Sequence, residues 1–195
     1  MPNIQLRMNA IPNIISGIRI LSAPVLLLLA WEGHRNAFIV LLFVSLVSDA
    51  IDGYIARRFN ASSRLGAKFD SLGDMAIYLT IPICAWWLWP QVLKQEALFV
   101  FIAIAAYIVP LVAGLVKFRK VPSYHTVGAK IAAVFMSIAI LFLFLIEFTW
   151  IFRVAAVFQA LVACEEILIT TRLTTLQSNV KSLWHISRPH NIDRA

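Results

Sequence analysis

Charge is scarce in this chain. Asp, Glu, Lys and Arg make up 14% of its 195 residues, while 61% are hydrophobic. Ordinary soluble domains hold about 25% charged and about 45–50% apolar residues, so a soluble globule is excluded and a single-domain integral membrane protein is expected. Cysteine is limited to Cys84 and Cys164, both inside apolar runs. A disulfide framework is therefore not expected, and the two read as small apolar packing residues. Only four histidines are present, of which His34, His185 and His190 suit surface positions. No Ser–His–Asp or Cys–His arrangement is apparent, so that route to nucleophilic catalysis lacks its residues. Internal repeats and low-complexity segments are also missing. Acidic residues number 10 against 17 Lys and Arg, a formal net charge of +7. In a membrane protein such an excess reports orientation and anionic lipid rather than nucleic acid.

What is present is a series of apolar runs. Their lengths suit six transmembrane helices of roughly 20 residues joined by short loops. The expected architecture is an all-α membrane domain over 13–172, preceded by a cytoplasmic or interfacial segment (1–12) and followed by a cytoplasmic tail (173–195). Pro12 suits the start of the first span, where its missing N–H is not needed. The spans are expected at about 13–31, 37–59, 66–89, 96–116, 126–148 and 150–171. The first run is too long and starts too far in for a cleavable signal peptide, so it is expected to stay as span one. Trp86, Trp87 and Trp89, ahead of Pro90, read as an aromatic belt at the far interface.

Four of the acids fall within 49–74. The stretch runs Asp49-Ala50-Ile51-Asp52-Gly53-Tyr54-Ile55-Ala56-Arg57, then eight residues, then Gly66-Ala67-Lys68-Phe69-Asp70-Ser71-Leu72-Gly73-Asp74. A carboxylate inside a membrane is costly and marks a functional site by default. At about 100° per residue, Asp49, Asp52, Gly53, Ala56 and Arg57 fall within roughly 140° of one another on one helix face. Gly66, Asp70 and Asp74 repeat at i, i+4 and i+8 and make a second face. Two antiparallel helices joined by a turn at 60–65 would bring these faces together in a polar cleft. Four carboxylates cannot all stay ionised there without positive partners. Arg57 can neutralise one, and hard divalent cations the rest. All-oxygen ligands favour Mg²⁺ or Mn²⁺, and the lack of His and Cys in the stretch argues against zinc. Gly53, Ala56 and Gly66 leave one side of the cleft without bulk, which suits a flat base or a pyrophosphate. Ser63 either offers its hydroxyl to a phosphate or is an ordinary turn serine. The competing reading, a solvated charged loop, predicts neither the spacing nor the small residues.

The pattern Asp-x2-Asp-Gly-x2-Ala-Arg-x8-Gly-x3-Asp-x3-Asp resembles the signature of the CDP-alcohol phosphotransferases, and every fixed position is filled here. The surrounding hydropathy extends the resemblance over residues 10 to about 175. The resemblance implies a reaction in phospholipid biosynthesis: an acceptor hydroxyl attacks the phosphorus of a CDP-linked lipid such as CDP-diacylglycerol, and CMP leaves. It implies Asp49, Asp52, Asp70 and Asp74 as ligands of two ions, Mg²⁺ or Mn²⁺, with Asp74 also the general base. It implies a CDP-lipid site at Asp52, Gly53, Ala56, Arg57, Ser63 and Gly66. Asn13 and Ser16 join that site, because relatives carry an Asn-x-x-Thr start there; polarity alone reads them as tolerated interfacial residues. The family resemblance also suggests a homodimer.

Arg119, His125 and Lys130 sit at the ends of spans four and five. They read either as positive-inside anchors or as a second anion pocket that binds the acceptor. Glu165 and Glu166 either pair with Lys130 or face a polar cavity. A phosphorylated alcohol would use both Arg119 and Lys130, so glycerol 3-phosphate is the expected acceptor. Inositol phosphate satisfies the same charge argument, and serine is the runner-up. Relatives that use glycerol 3-phosphate usually have a proline after the third aspartate, where this chain has Ser71. A divalent-cation transporter would also need intramembrane carboxylates, but near the midplane and on repeated halves. A catalytically inert scaffold would not need the complete motif.

Six spans put thirteen Lys and Arg on the side of both termini and the motif. Three (Arg35, Lys94 and Arg153) lie on the other side, and Arg19 is inside span one. The positive-inside rule then places both termini and the cleft at the cytoplasmic face of a bacterial-type inner membrane. Cysteines introduced at Ser63 and Ser123 are expected to react with a membrane-impermeant maleimide from the cytoplasmic side only. Labelling of either from outside overturns this orientation.

Overall fold

The computed structural model describes residues 17, 20–58, 64–119 and 126–173, without the side chains of residues 49–50, 52–58, 64–71 and 74. Asn13, Ser16, Ser63, His125, the 1–12 segment and the tail after 173 lie outside the described residues. The described residues form helices and turns, with no strand among them. Long apolar runs favour that outcome, because a helix satisfies its backbone hydrogen bonds within its own segment. The helices are α1 (Ile20–Trp31), α2 (Arg35–Arg58), α3 (Arg64–Leu88), the short α4 (Pro90–Gln95), α5 (Ala97–Phe118), α6 (Val127–Ile146) and α7 (Thr149–Arg172). Among the described residues α5, α6 and α7 are long and apolar enough to cross a membrane. Ile20–Trp31, Arg35–Ser48 and Met75–Leu88 are shorter apolar helical stretches.

The chain divides into two compact units, Met1–Lys94 and Gln95–Ala195. In the first, α1 ends in a Schellman motif. The Gly33 N–H donates to the Ala30 carbonyl at 3.1 Å and the His34 N–H to the Leu29 carbonyl at 2.9 Å. Gly33 takes φ +79°, a left-handed conformation that glycine adopts without strain. Ser45 Oγ on α2 donates to Ser22 Oγ on α1 at 3.1 Å. The Cys84 thiol on α3 donates to the Leu26 carbonyl at 3.6 Å. Leu26, Phe38, Leu42 and Cys84 are completely buried around these links. The aromatic run divides: Trp86 and Trp87 are exposed, as interfacial rings are, whereas Trp89 is buried. Its ring packs on Phe38 at 5.9 Å and lies under the Arg35 guanidinium at 5.4 Å, a cation–π contact that holds it inward.

In the second unit α7 packs against both α5 and α6. Contacts at both ends make α5 and α7 parallel. Just before α5, the buried Glu96 carboxylate accepts from Arg153 Nε at 2.8 Å and Nη2 at 2.7 Å. The same guanidinium lies over the rings of Phe99 and Trp150 at 5.5 and 5.2 Å. At the other end, Lys117 Nζ donates to the carbonyls of Thr170 and Thr171, both at 2.9 Å. These belong to the last turn of α7, where carbonyls lack helical partners and a cation is favoured. Glu147 takes φ +53°, and with Phe148 makes the whole connection from α6 to α7. A link this short makes those helices antiparallel neighbours. Both bury small residues, Ala132 and Ala139 on α6 and Ala155, Ala156 and Ala163 on α7, which allow close approach where lipid supplies no hydrophobic drive.

The Glu96–Arg153 pair combines a side chain that is 2% exposed with one that is 34% exposed. Removing one partner strands the other charge, so Glu96→Gln is expected to lower the stability of the protein, less than a fully buried pair would because Arg153 keeps some water. Adding Arg153→Met is expected to recover part of that loss, measured as unfolding free energies in detergent. Additive losses from the two substitutions would show the pair to be uncoupled.

Candidate active site

Both halves of the acidic stretch are helical, because α2 continues through 49–58 and α3 begins at Arg64. Their register relates the acids to residues of known burial. Taking Asp49 as zero and about 100° per residue, positions 52, 53 and 56 fall within roughly 60° of it. Phe38, Leu42 and Ser45, all buried, fall in the same sector, within roughly 40° of zero. The exposed Val40, Phe43, Val44, Val47 and Ile51 fall on the opposite face, between roughly 120° and 220°. On α3 the same count from Gly66 puts positions 70 and 74 within roughly 80°. Gly73, Ile77, Ile81, Cys84 and Leu88, all buried, share that sector, while the exposed Leu72, Leu79, Ile83 and Trp86 lie opposite. The acid-bearing face of each helix is therefore a continuation of the face that the unit buries. The five residues 59–63 between the helices keep the Cα atoms of residues 58 and 64 within ~23 Å even if fully stretched.

Among the described residues no group of three His, Cys, Asp or Glu comes together. That set does not include the side chains of Asp49, Asp52, Asp70 and Asp74, nor that of Arg57. The donor chemistry follows from residue type: four carboxylates with no nitrogen or sulfur ligand beside them, which fits a hard divalent cation and not zinc.

The residues expected to meet the acceptor are placed in part. Arg119 is exposed and ends α5 in a left-handed conformation, φ +54°, with its N–H on the Leu115 carbonyl at 2.8 Å. Thr126 is fully buried, and its Oγ1 accepts from the Ala129 N–H at 3.0 Å, which sets the start of α6. Lys130 is exposed, one turn into that helix. The pairing of Lys130 with Glu165 or Glu166 does not occur among the described residues, and register explains why. Gly128 on α6 faces Glu165: a Cβ there would lie 3.4 Å from Glu165 Oε2 and 3.3 Å from Val162 Cγ2. Lys130 lies about 200° further around and points elsewhere. Sequence reasoning missed this contact, as it missed Lys117 on the end of α7. The one available signal was the cap itself, a threonine followed by a first turn without an acid of its own.

A model of the CDP-alcohol phosphatidyltransferase family matches residues 9–165. Over 102 residues the chain is 36% identical to a Mycobacterium bovis protein named "Putative cardiolipin synthase", covering 48% of this chain and 49% of that one. It is 35% identical over 81 residues to the CDP-diacylglycerol–inositol 3-phosphatidyltransferase of Candida albicans, covering 42% and 35%. It is 25% identical over 134 residues to the CDP-diacylglycerol–glycerol-3-phosphate 3-phosphatidyltransferase of Aquifex aeolicus, covering 67% and 73%. The chain thus spans about half the length of the first of these relatives and about a third of the second. No solved structure matches it.

The register predicts where probes report lipid and where they report water. Spin labels at Ile51→Cys and Leu72→Cys are expected to be relaxed by oxygen dissolved in the bilayer. Labels at Gly53→Cys and Gly66→Cys are expected to respond instead to a water-soluble nickel chelate. Lipid-type relaxation at the glycine positions would place the acids on the wrong face.

Proposed function

Because this chain belongs to the CDP-alcohol phosphatidyltransferase family, we propose that it transfers a phosphatidyl group from a CDP-linked lipid to an alcohol and releases CMP. The observation that carries the reading is the register of α2 and α3. It continues the buried face of each helix into the complete set of motif positions: 49, 52, 53, 56 and 57 on one, 66, 70 and 74 on the other. A cleft of that kind keeps carboxylates out of lipid and gathers them where charge develops in the reaction.

In this reading Asp49, Asp52, Asp70 and Asp74 hold two Mg²⁺ or Mn²⁺ ions. Bound there, the ions supply charge stabilisation to the diphosphate and to the attacking and leaving oxygens. The residues do the rest. Asp74 takes the proton from the acceptor hydroxyl as its oxygen bonds to the lipid-side phosphorus and the bond to the CMP oxygen breaks. Arg57 binds a phosphate or fixes a carboxylate through its planar fork. Gly53, Ala56 and Gly66 let the nucleotide approach the backbone, with Asn13, Ser16 and Ser63 completing the CDP site. Lipid tails stay in the bilayer. Charge distribution supports six spans over 13–172, both termini and the cleft on the cytoplasmic side of a bacterial-type inner membrane, and the family resemblance supports a homodimer.

For the acceptor we favour glycerol 3-phosphate, held by Arg119, His125 and Lys130. Arg119 and Lys130 are exposed cations that form no ion pair among the described residues, so an acceptor phosphate would meet both. The relatives named above carry different acceptors in their names, and inositol phosphate and serine are the alternatives.

Purified protein is expected to release CMP from CDP-diacylglycerol when given glycerol 3-phosphate. EDTA should abolish the activity, and Mg²⁺ or Mn²⁺ should restore it better than zinc. Asp74→Asn should lose about 10²-fold or more in kcat, the usual worth of a positioned base, and Asp70→Asn should lose activity through its part in holding the ions, both while still folding in detergent. Near-normal turnover in Asp74→Asn would remove the general-base role. Turnover of serine or free inositol without glycerol 3-phosphate would overturn the acceptor but not the reaction.

A further inference from the structure

Glu165 is a membrane-helix carboxylate to which the proposed reaction gives no task. We infer that it is a positioning residue for the acceptor, acting through the first turn of α6; this rests on the reading of Arg119 and Lys130 as acceptor-binding cations. The start of a helix carries partial positive charge and N–H groups without helical partners. In α6 one of these, from Ala129, goes to the Thr126 hydroxyl, and the first turn holds no acid. Glu165 brings one from α7. Its Oε2 stands 3.4 Å from where a Gly128 Cβ would be, and Val162 Cγ2 at 3.3 Å closes the other side. The missing side chain at Gly128 is what admits the carboxylate this close.

The same part of α7 makes a second attachment. Lys117, two residues before Arg119, donates to the Thr170 and Thr171 carbonyls, little more than one turn beyond Glu165. The end of α5 and the start of α6 are thus both tied to the last turns of α7. Arg119 follows the first tie and Lys130 follows the second. The separation of Arg119 and Lys130 is in this way set by two attachments to α7. Gly128, rather than Lys130, faces Glu165, so the carboxylate orients the turn without neutralising the cation.

The test measures KM for the acceptor that the protein uses among glycerol 3-phosphate, inositol phosphate and serine, with CDP-diacylglycerol in detergent micelles. Glu165→Gln is expected to raise that KM about 3- to 10-fold, the scale of a charge at a helix end, with kcat and the KM for CDP-diacylglycerol unchanged. Ala129→Glu in the same background would place an acid in the first turn of α6, three residues after Thr126, a capping-box spacing. It is expected to return the acceptor KM towards its original value. Gly128→Ala, which presses on the carboxylate, should raise KM in the same direction and serves if Glu165→Gln does not fold. Lys130→Ala and Arg119→Ala are measured in parallel. If they leave acceptor KM unchanged, the pocket reading falls, and the role of Glu165 with it. If they raise it and neither Glu165→Gln nor Gly128→Ala does, only the positioning role is overturned. A loss of folded protein without a change in KM, or no rescue by Ala129→Glu, also overturns it.

Discussion

A charge in an apolar helical bundle persists only beside an opposite charge or a fixed dipole, because its desolvation otherwise outweighs the packing around it. The second unit meets this constraint in three ways. Glu96 and Arg153 share two hydrogen bonds, with aromatic rings around the guanidinium. Lys117 spends its charge on the carbonyl end of α7. Glu165 lies against the amino-terminal turn of α6. Together these contacts fix which helices are parallel and how their ends align, a task that non-directional apolar packing cannot perform alone.

The first unit holds most of its described residues together with weaker links, a serine pair, a thiol on a carbonyl and aromatic contacts. What organises it is register. One face of α2 and one face of α3 are buried along their apolar halves, and the motif positions continue those faces into the polar halves. Helical periodicity makes this extension obligatory once the helix is unbroken. A site built on the continuation of a packed face inherits a fixed backbone, which is what the proposed in-line attack of a hydroxyl on phosphorus would require.

In the proposed reading, membership of the CDP-alcohol phosphatidyltransferase family accounts for the acids and the small residues, and the acceptor is left to the region around Arg119 and Lys130. Its geometry is borrowed from α7 at two points, one basic residue on carbonyls and one carboxylate on a helix start. The names of the relatives carry different alcohols, inositol in one and glycerol 3-phosphate in another.

Much was legible in the order of residues alone. Apolar run length set the helical class and located α2, α3, α5, α6 and α7 to within a few residues, because a segment in hydrocarbon has to satisfy its own backbone. The spacing from Asp49 to Asp74 marked the motif, because 3.6-residue periodicity is a local property of the chain. Pair partners were not legible. Lys130 and Glu165 looked like natural partners by sign, yet Gly128 takes the position opposite Glu165 and Lys130 turns away. Trp89 read as an interfacial ring and is instead buried under Arg35. Glu96 and Arg153, 57 residues apart, carried no sign of each other in the sequence. Sequence by itself determined which segments are helical and which faces bear acid, since both follow from neighbours a few residues away. Only the tertiary structure decided which charge meets which, since that depends on the rotation and axial offset of whole helices packed against one another.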